Sequence, residues 1–207
     1  AAFQTKAEIE IPFAGVAYQK IYSFDEIADK LYMKMHNMTI KTEILRGHQI
    51  QIDEHCYYVD TEYITYPIPY VNTICFVDAF VYYYRLGREG QSVGMDKMQK
   101  NEQNYDKVLA SLLHFYQQLG RELPCTQAKK QYIARLIARV IAGKFKIMLS
   151  FPPSAEKKQQ IKQYDKHLKT QYRDIYDSNI NKAVALLRKT QYHTYYLANM
   201  LVRRTYR

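Results

Sequence analysis

The chain has 207 residues, 47% hydrophobic and 24% charged, which excludes a disordered polymer and leaves room for one large domain or two small ones. Thirty Lys and Arg against twenty Asp and Glu give a net charge of +10. Three cysteines without a C-x-x-C pair speak against a disulfide scaffold and a thiolate zinc site, and point to a reducing compartment. No apolar run reaches the roughly 18 residues of a membrane span and no signal-peptide pattern is found, so a cytoplasmic setting is expected.

In chain order, the first half reads as short β-rich runs over residues 7–16, 49–52, 71–76 and 80–84, punctuated by Pro67, Pro69, Gly87 and Gly90. One helix interrupts them. Ser23 followed three residues later by Glu26 has capping-box spacing, and Ile27, Leu31 and Met35 then recur at every fourth position, predicting one apolar face. The second half reads as helix. Tyr105, Val108, Leu109, Leu112, Leu113, Tyr116 and Leu119 keep three-four spacing up to Gly120. Ile133, Leu136, Ile137, Val140 and Ile141 make a second stripe, followed by Gly143. Pro152 and Pro153 impose a break, because proline lacks the N–H and disfavours helix in the residue before it. Ile161, Tyr164, Leu168, Tyr172 and Ile175 make a third stripe. Ile180, Val184 and Leu187, then residues 195–202, make a fourth region. No fixed-period repeat occurs, so a solenoid is not expected. The expected fold class is α+β: a small mixed β-rich part over residues 1–93 followed by an α-helical bundle over 94–207.

Charge changes where texture changes. Residues 1–93 hold 8 basic and 12 acidic side chains, a net −4, while residues 94–207 hold 22 basic and 8 acidic ones, a net +14. Such asymmetry marks a segment that faces something anionic, or helices whose outer faces are solvated by Lys and Arg.

Conventional chemistry motifs are missing. There is no G-x-x-x-x-G-K-[ST], G-x-G-x-x-G, G-x-S-x-G or H-E-x-x-H. His36, His48 and His55 match no metal-ligand spacing. Two stretches remain. In the run from Tyr57 to Pro67, Asp60 sits where an aromatic segment enters a short amphipathic one. It reads either as a helix cap, with Glu62 favoured by the helix dipole, or as a carboxylate at the rim of a cleft acting as general base. The stretch Tyr84-Arg85-Leu86-Gly87-Arg88-Glu89-Gly90-Gln91-Ser92 offers two guanidiniums, two glycines and a hydroxyl. It reads either as a surface loop or as a loop able to fold over a diphosphate.

Residues 33–45, then Tyr58-Val59-Asp60-Thr61-Glu62-Tyr63, then residues 82–92 ending in Y-R-x-G-R-x-G-Q-S, together resemble the second half of a bacterial family 2 glycosyltransferase of the Gram-positive polysaccharide type. The resemblance covers about residues 20–95. It implies the C-terminal portion of a type A glycosyltransferase fold and an inverting transfer from a nucleotide-sugar donor to a saccharide or lipid-linked acceptor, in cell-surface polysaccharide synthesis. On that resemblance Asp60 is the general base. Arg85, Arg88, Gln91 and Ser92 belong to the loop closing over the donor diphosphate, and His36, Asn37 and Glu62 lie on the acceptor side. The first acid of the family's usual pair is replaced by Val59.

The family's N-terminal nucleotide-binding half and its D-x-D metal motif are not found, so the chain reads as the acceptor-side portion plus a helical extension, inactive alone. A divalent metal, Mg or Mn, is expected only in the complete enzyme, with none held by these residues. Asp60-Thr61-Glu62 could imitate D-x-D, although no doubly wound unit lies upstream of it. For the basic extension, with ten tyrosines among its Lys and Arg, docking at an anionic membrane surface is the favoured expectation, peripheral at the inner face of the plasma membrane. No nucleic-acid partner is expected, because no helix-turn-helix, RRM or KH signature occurs; a basic nucleic-acid module and an oligomerisation bundle are the competing classes.

Overall fold

The computed structural model describes residues 15–79, 82 and 94–205. The expected strands at 7–16 and 80–84 therefore lie outside the described residues, apart from Gly15, Val16 and Tyr82.

Two short strands, β1 (Ile21–Ser23) and β2 (Thr73–Cys75), pair antiparallel with Tyr22 opposite Ile74. Backbone bonds from Gln19 N–H to Phe76 O and from Phe24 N–H to Asn72 O extend the ribbon at both ends. The expected capping box forms: Ser23 N–H donates to Glu26 Oε2 at 3.0 Å. The helix it starts, α1 (Phe24–Ile27), is a single turn and not the longer helix expected. Ile27 and Leu31 are buried as the spacing predicted, but Met35 is 49% exposed and opens a separate 3-10 turn (Met35–Asn37) behind an extended Lys34. Residues 49–52 are likewise not a strand. They follow α2 (Thr42–Gly47), whose C-terminal carbonyls of Leu45 and Arg46 take the N–H groups of Ile50 and Gln49 and hold Gln49 at φ 47°. Helix α3 (Asp60–Thr65) and a 3-10 turn (Ile68–Tyr70) lead into β2.

The remaining described chain is helical: α4 (Met95–Lys100), α5 (Glu102–Gln118), α6 (Gln127–Ser150), α7 (Ala155–Gln171), α8 (Arg173–Asp177), α9 (Lys182–Lys189) and α10 (Tyr195–Thr205). Side chains preceding the helices satisfy orphan donors. Thr126, Ser154 and Asn181 accept the N–H groups of Lys129, Lys157, and Ala183 with Val184. Gly120, at φ 77°, ends the turn after α5 as expected, and Pro152 and Pro153 separate α6 from α7.

Helices α5 and α6 run antiparallel, as the contacts of Tyr105 with Val140 and of Tyr116 with Lys130 show. Gly143 lies inside α6, which runs seven residues beyond it. Its missing side chain admits the Tyr105 ring: a Cβ there would overlap Tyr105 Oη and stand 3.0 Å from Cζ. The Tyr105 hydroxyl donates to Val140 O at 2.8 Å.

The α6 helix is also the common wall. Leu112, Ile133, Ile137, Ile161, Leu168 and Leu187 join Phe24, Ile27, Ile64 and Ile68 in one hydrophobic cluster, each fully buried aliphatic contributing about 1.5–3 kcal/mol. Polar ties reinforce it. Lys129 Nζ donates to Pro69 O at 2.9 Å, Arg135 to Ala28 O, and the Thr126 hydroxyl to Asp25 at 2.8 Å. The fold is mostly helical with a small two-stranded antiparallel sheet. Elements from both sides of residue 93 share its core.

Among the helices, Asp165 and Arg188 form a buried, forked ion pair with N–O distances of 2.8–3.3 Å, and Arg188 also donates to Tyr176 O and lies over the Tyr176 ring at 3.6 Å. This one guanidinium joins α7, α8 and α9. No described helix is long and apolar enough to cross a membrane.

Candidate functional site

The short helix α3 carries two carboxylates in its first turn, and the fold treats them oppositely. Successive positions on a helix are separated by about 100°, so Asp60 and Glu62 point in directions about 200° apart. Asp60 is exposed. Val59, and not Asp60, occupies the capping position, and no side-chain cap bond forms there, so the cap explanation for Asp60 is not what the structure supplies. Glu62 is completely buried, 0% exposed, between α3 and α5.

Beneath Glu62 lies a polar cluster. Its Oε2 accepts the backbone N–H of Asp53 at 2.8 Å, while Oε1 has no hydrogen-bond donor. The Asp53 carboxylate in turn accepts from Ser111 Oγ at 3.0 Å and pairs with Lys107 Nζ at 3.2 Å, two residues one turn apart on α5. Burial pushes the Glu62 carboxyl up to about 7, helped by the negative charge of Asp53 and opposed by the Asp53 N–H. Partial burial pushes Asp53 up as well, but hydrogen bonds from Lys107, Ser111 and Glu62 together outweigh it and hold that carboxyl below its ordinary value. Burial, with Glu62 four residues earlier, pushes the Tyr66 hydroxyl up. Burial and the neighbouring charges thus push the two carboxyls apart, Glu62 up and Asp53 down.

Glu62 was expected on the acceptor side. The structure gives it no exposed surface and ties its Oε2 to the Asp53 backbone. The same geometry removes the D-x-D imitation. Asp60 and Glu62 diverge, and one of them is committed to the Asp53 backbone, so the two cannot converge on one cation. Among the described residues, no group of three or more His, Cys, Asp or Glu is arranged to hold a metal ion. Burial pushes the Cys56 and Cys125 thiols up, which disfavours a reactive thiolate at either.

The other expected residues divide. The 3-10 turn bearing His36 and Asn37 packs against α3. Asn37 Oδ1 accepts the Lys34 N–H at 2.8 Å, closing that turn, and the His36 ring stacks on Tyr82, centroids 5.4 Å apart and planes 26° from parallel. Tyr82 stands three residues before Arg85. Thus the turn at 35–37, the helix bearing Asp60 and the last described residue before the Arg-Gly stretch gather on one side of the fold. Arg85, Arg88, Gln91 and Ser92 themselves lie outside the described residues.

Two surface grooves lie elsewhere. One, of about 550 Å³, runs beside the stacked His48 and Tyr70 rings, and the other, of about 390 Å³, runs over the Asp165–Arg188 pair. Neither is lined by an expected site residue.

Sequence reading missed Asp53 as the partner of Glu62, and Ser111 and Lys107 as the partners of Asp53. The four-residue spacing of Lys107 and Ser111 beside the apolar stripe of α5 was the available signal, but a stripe gives a helix's orientation only toward its core. Comparison with known proteins finds no matching family model, no matching curated protein and no matching solved structure.

Proposed function

We propose that the chain is the acceptor-side portion of an inverting glycosyltransferase of the family 2 type, acting with a donor-binding half outside these 207 residues. The single observation that supports the reading is the convergence of three stretches that are far apart in sequence. The turn at 35–37 packs on α3, and His36 stacks on Tyr82. In the transfer, an acceptor hydroxyl oxygen attacks the anomeric carbon of the donor sugar. The bond from that carbon to the phosphate oxygen breaks, and the nucleoside diphosphate leaves with the electron pair. Asp60 takes the acceptor proton. Its exposed position in the first turn of α3 suits that role, whereas Glu62 is buried. His36 and Asn37 flank the acceptor, and Arg85, Arg88, Gln91 and Ser92 close over the diphosphate. A saccharide or lipid-linked acceptor fits this reading.

The test uses the complete protein containing this segment. Asp60→Asn lowers turnover about 10²–10⁴-fold while leaving nucleotide-sugar affinity within about twofold of wild type. Unchanged turnover removes Asp60 as the base. Sugar transfer by residues 1–207 alone defeats the requirement for a separate donor-binding half.

A further inference from the structure

Helix α10 faces its core with a polar anchor and faces solvent with apolar side chains. At about 100° per residue, Tyr195, Ala198, Asn199 and Val202 share one arc. Tyr195 and Asn199 are buried, and Ala198 and Val202 are packed against the hydrophobic cluster. Asn199 Nδ2 donates to Leu149 O at 2.7 Å and to Phe151 O at 2.8 Å, at the end of α6, where Pro152 and Pro153 have no N–H to offer. The opposite arc carries Tyr196, Leu197, Met200 and Leu201, exposed by 51, 51, 56 and 53%. A surface helix normally places polar residues there, and contiguous apolar exposure marks an interaction site.

Positive charge surrounds that arc. Arg203 and Arg204 lie in its last turn, and Lys158 Nζ stands 5.8 Å from the centre of the Tyr196 ring. Lys157, next to Lys158, lies over Phe151. From residue 178 to 207 the sequence has six Lys and Arg and no Asp or Glu.

We propose that α10 docks on a bilayer containing anionic lipid. Tyr196, Leu197, Met200 and Leu201 enter the boundary between headgroups and acyl chains, and Arg203, Arg204 and Lys158 meet the headgroups. The eleven described residues of α10 span about 16 Å, and with one face buried on the core they are placed to lie along the bilayer surface. Charge selects this occupant. Two copies meeting through the same face would bring Arg203 and Arg204 of both together, with no carboxylate on α10 to offset them. A nucleic acid would engage the arginines but leave Leu197, Met200 and Leu201 without a base-stacking role. An anionic bilayer uses both features. The proposal does not depend on the transferase reading and survives if that reading fails.

The chain has no tryptophan, so Tyr196→Trp installs a lone reporter at the centre of the face. Mixed with phosphatidylcholine vesicles containing about one-third phosphatidylglycerol, its emission shifts to the blue and is quenched by brominated acyl chains; added salt weakens the effect. In that background, Leu197→Gln with Leu201→Gln lowers partitioning about tenfold or more, and Arg203→Ala and Arg204→Ala lower it about fivefold each. These side chains are outside the core, and unchanged far-UV circular dichroism verifies folding of each variant. Equal partitioning onto pure phosphatidylcholine, or emission unmoved by anionic vesicles, overturns the proposal. So does a concentration-dependent dimer in sedimentation that Leu197→Gln with Leu201→Gln abolishes while the vesicles leave the reporter unshifted; that result assigns the face to a second copy.

Discussion

Replacing Glu62 by Gln tests whether the buried carboxyl carries a proton in the folded protein. Glu62 has an ordinary value of 4.5 and is raised to about 7 when folded, because burial disfavours its charged form. A carboxyl whose folded value is raised binds its proton more tightly in the native state than in the unfolded one. The stability this contributes is fully present below about pH 4.5, is lost as pH rises toward about 7, and is flat beyond. A shift of this size corresponds to about 3 kcal/mol, at about 1.4 kcal/mol per tenfold change in proton affinity. Gln keeps the shape and an oxygen for the Asp53 N–H, and has no proton to gain or lose over this range. Urea denaturation of both proteins at pH 5, 6, 7 and 8 is the assay. The stability difference between Glu62→Gln and wild type should move by about 2–3 kcal/mol in favour of Gln between pH 5 and 8. Parallel pH profiles would refute the assignment of the proton to Glu62. A profile in which wild type gains stability relative to Gln on going to pH 8 would mean that Glu62 is held ionised, as Asp53 is.

Gly143→Ala should cost about 2–4 kcal/mol in chemical denaturation, because the new Cβ displaces the Tyr105 ring and its bond to Val140; in a Tyr105→Ala background most of that penalty should disappear. Arg188→Lys should lower stability by about 2–4 kcal/mol, since an ammonium cannot reproduce the forked pairing with Asp165 together with the bond to Tyr176 O; a thermal melt falling by only a degree or two would contradict this. Asn199→Ala should cost about 2 kcal/mol by leaving two carbonyls at the end of α6 without their donor, and faster amide exchange confined to α10 and the end of α6 would locate the loss.

The helical stripes were readable because burial imposes a period. Leu109 and Leu112 on α5, Ile133 and Ile137 on α6, and Ile161 and Leu168 on α7 are buried where their spacing places them. Failures concentrate where periodicity says little. The sequence placed Gly143 after a stripe without a reason for it; that reason is Tyr105, 38 positions away. Residues 49–52 looked like a strand by composition, but the helix before them claimed their backbone donors. The capping box at Ser23 was legible because it is local. The length of the helix it starts was not, since Lys34 takes an extended conformation under tertiary influence. Asp60 and Glu62 were indistinguishable in sequence, both being acids in the first turn of one short helix. What separates them is which side α5 covers.

The ties between α6 and the first segment bear on the order in which the chain can mature during synthesis. Asp25 waits for Thr126, which follows 101 residues later, and Ala28 waits for Arg135, which follows 107 residues later. Until the ribosome has released α6, Phe24, Ile27 and Ile68 have no wall to pack on, so this stretch emerges early and is completed late. A ribosome stalled before α6 has emerged would display a sticky nascent chain, a natural client for holding chaperones. One stalled only after α6 is free would display a segment able to close in a single step.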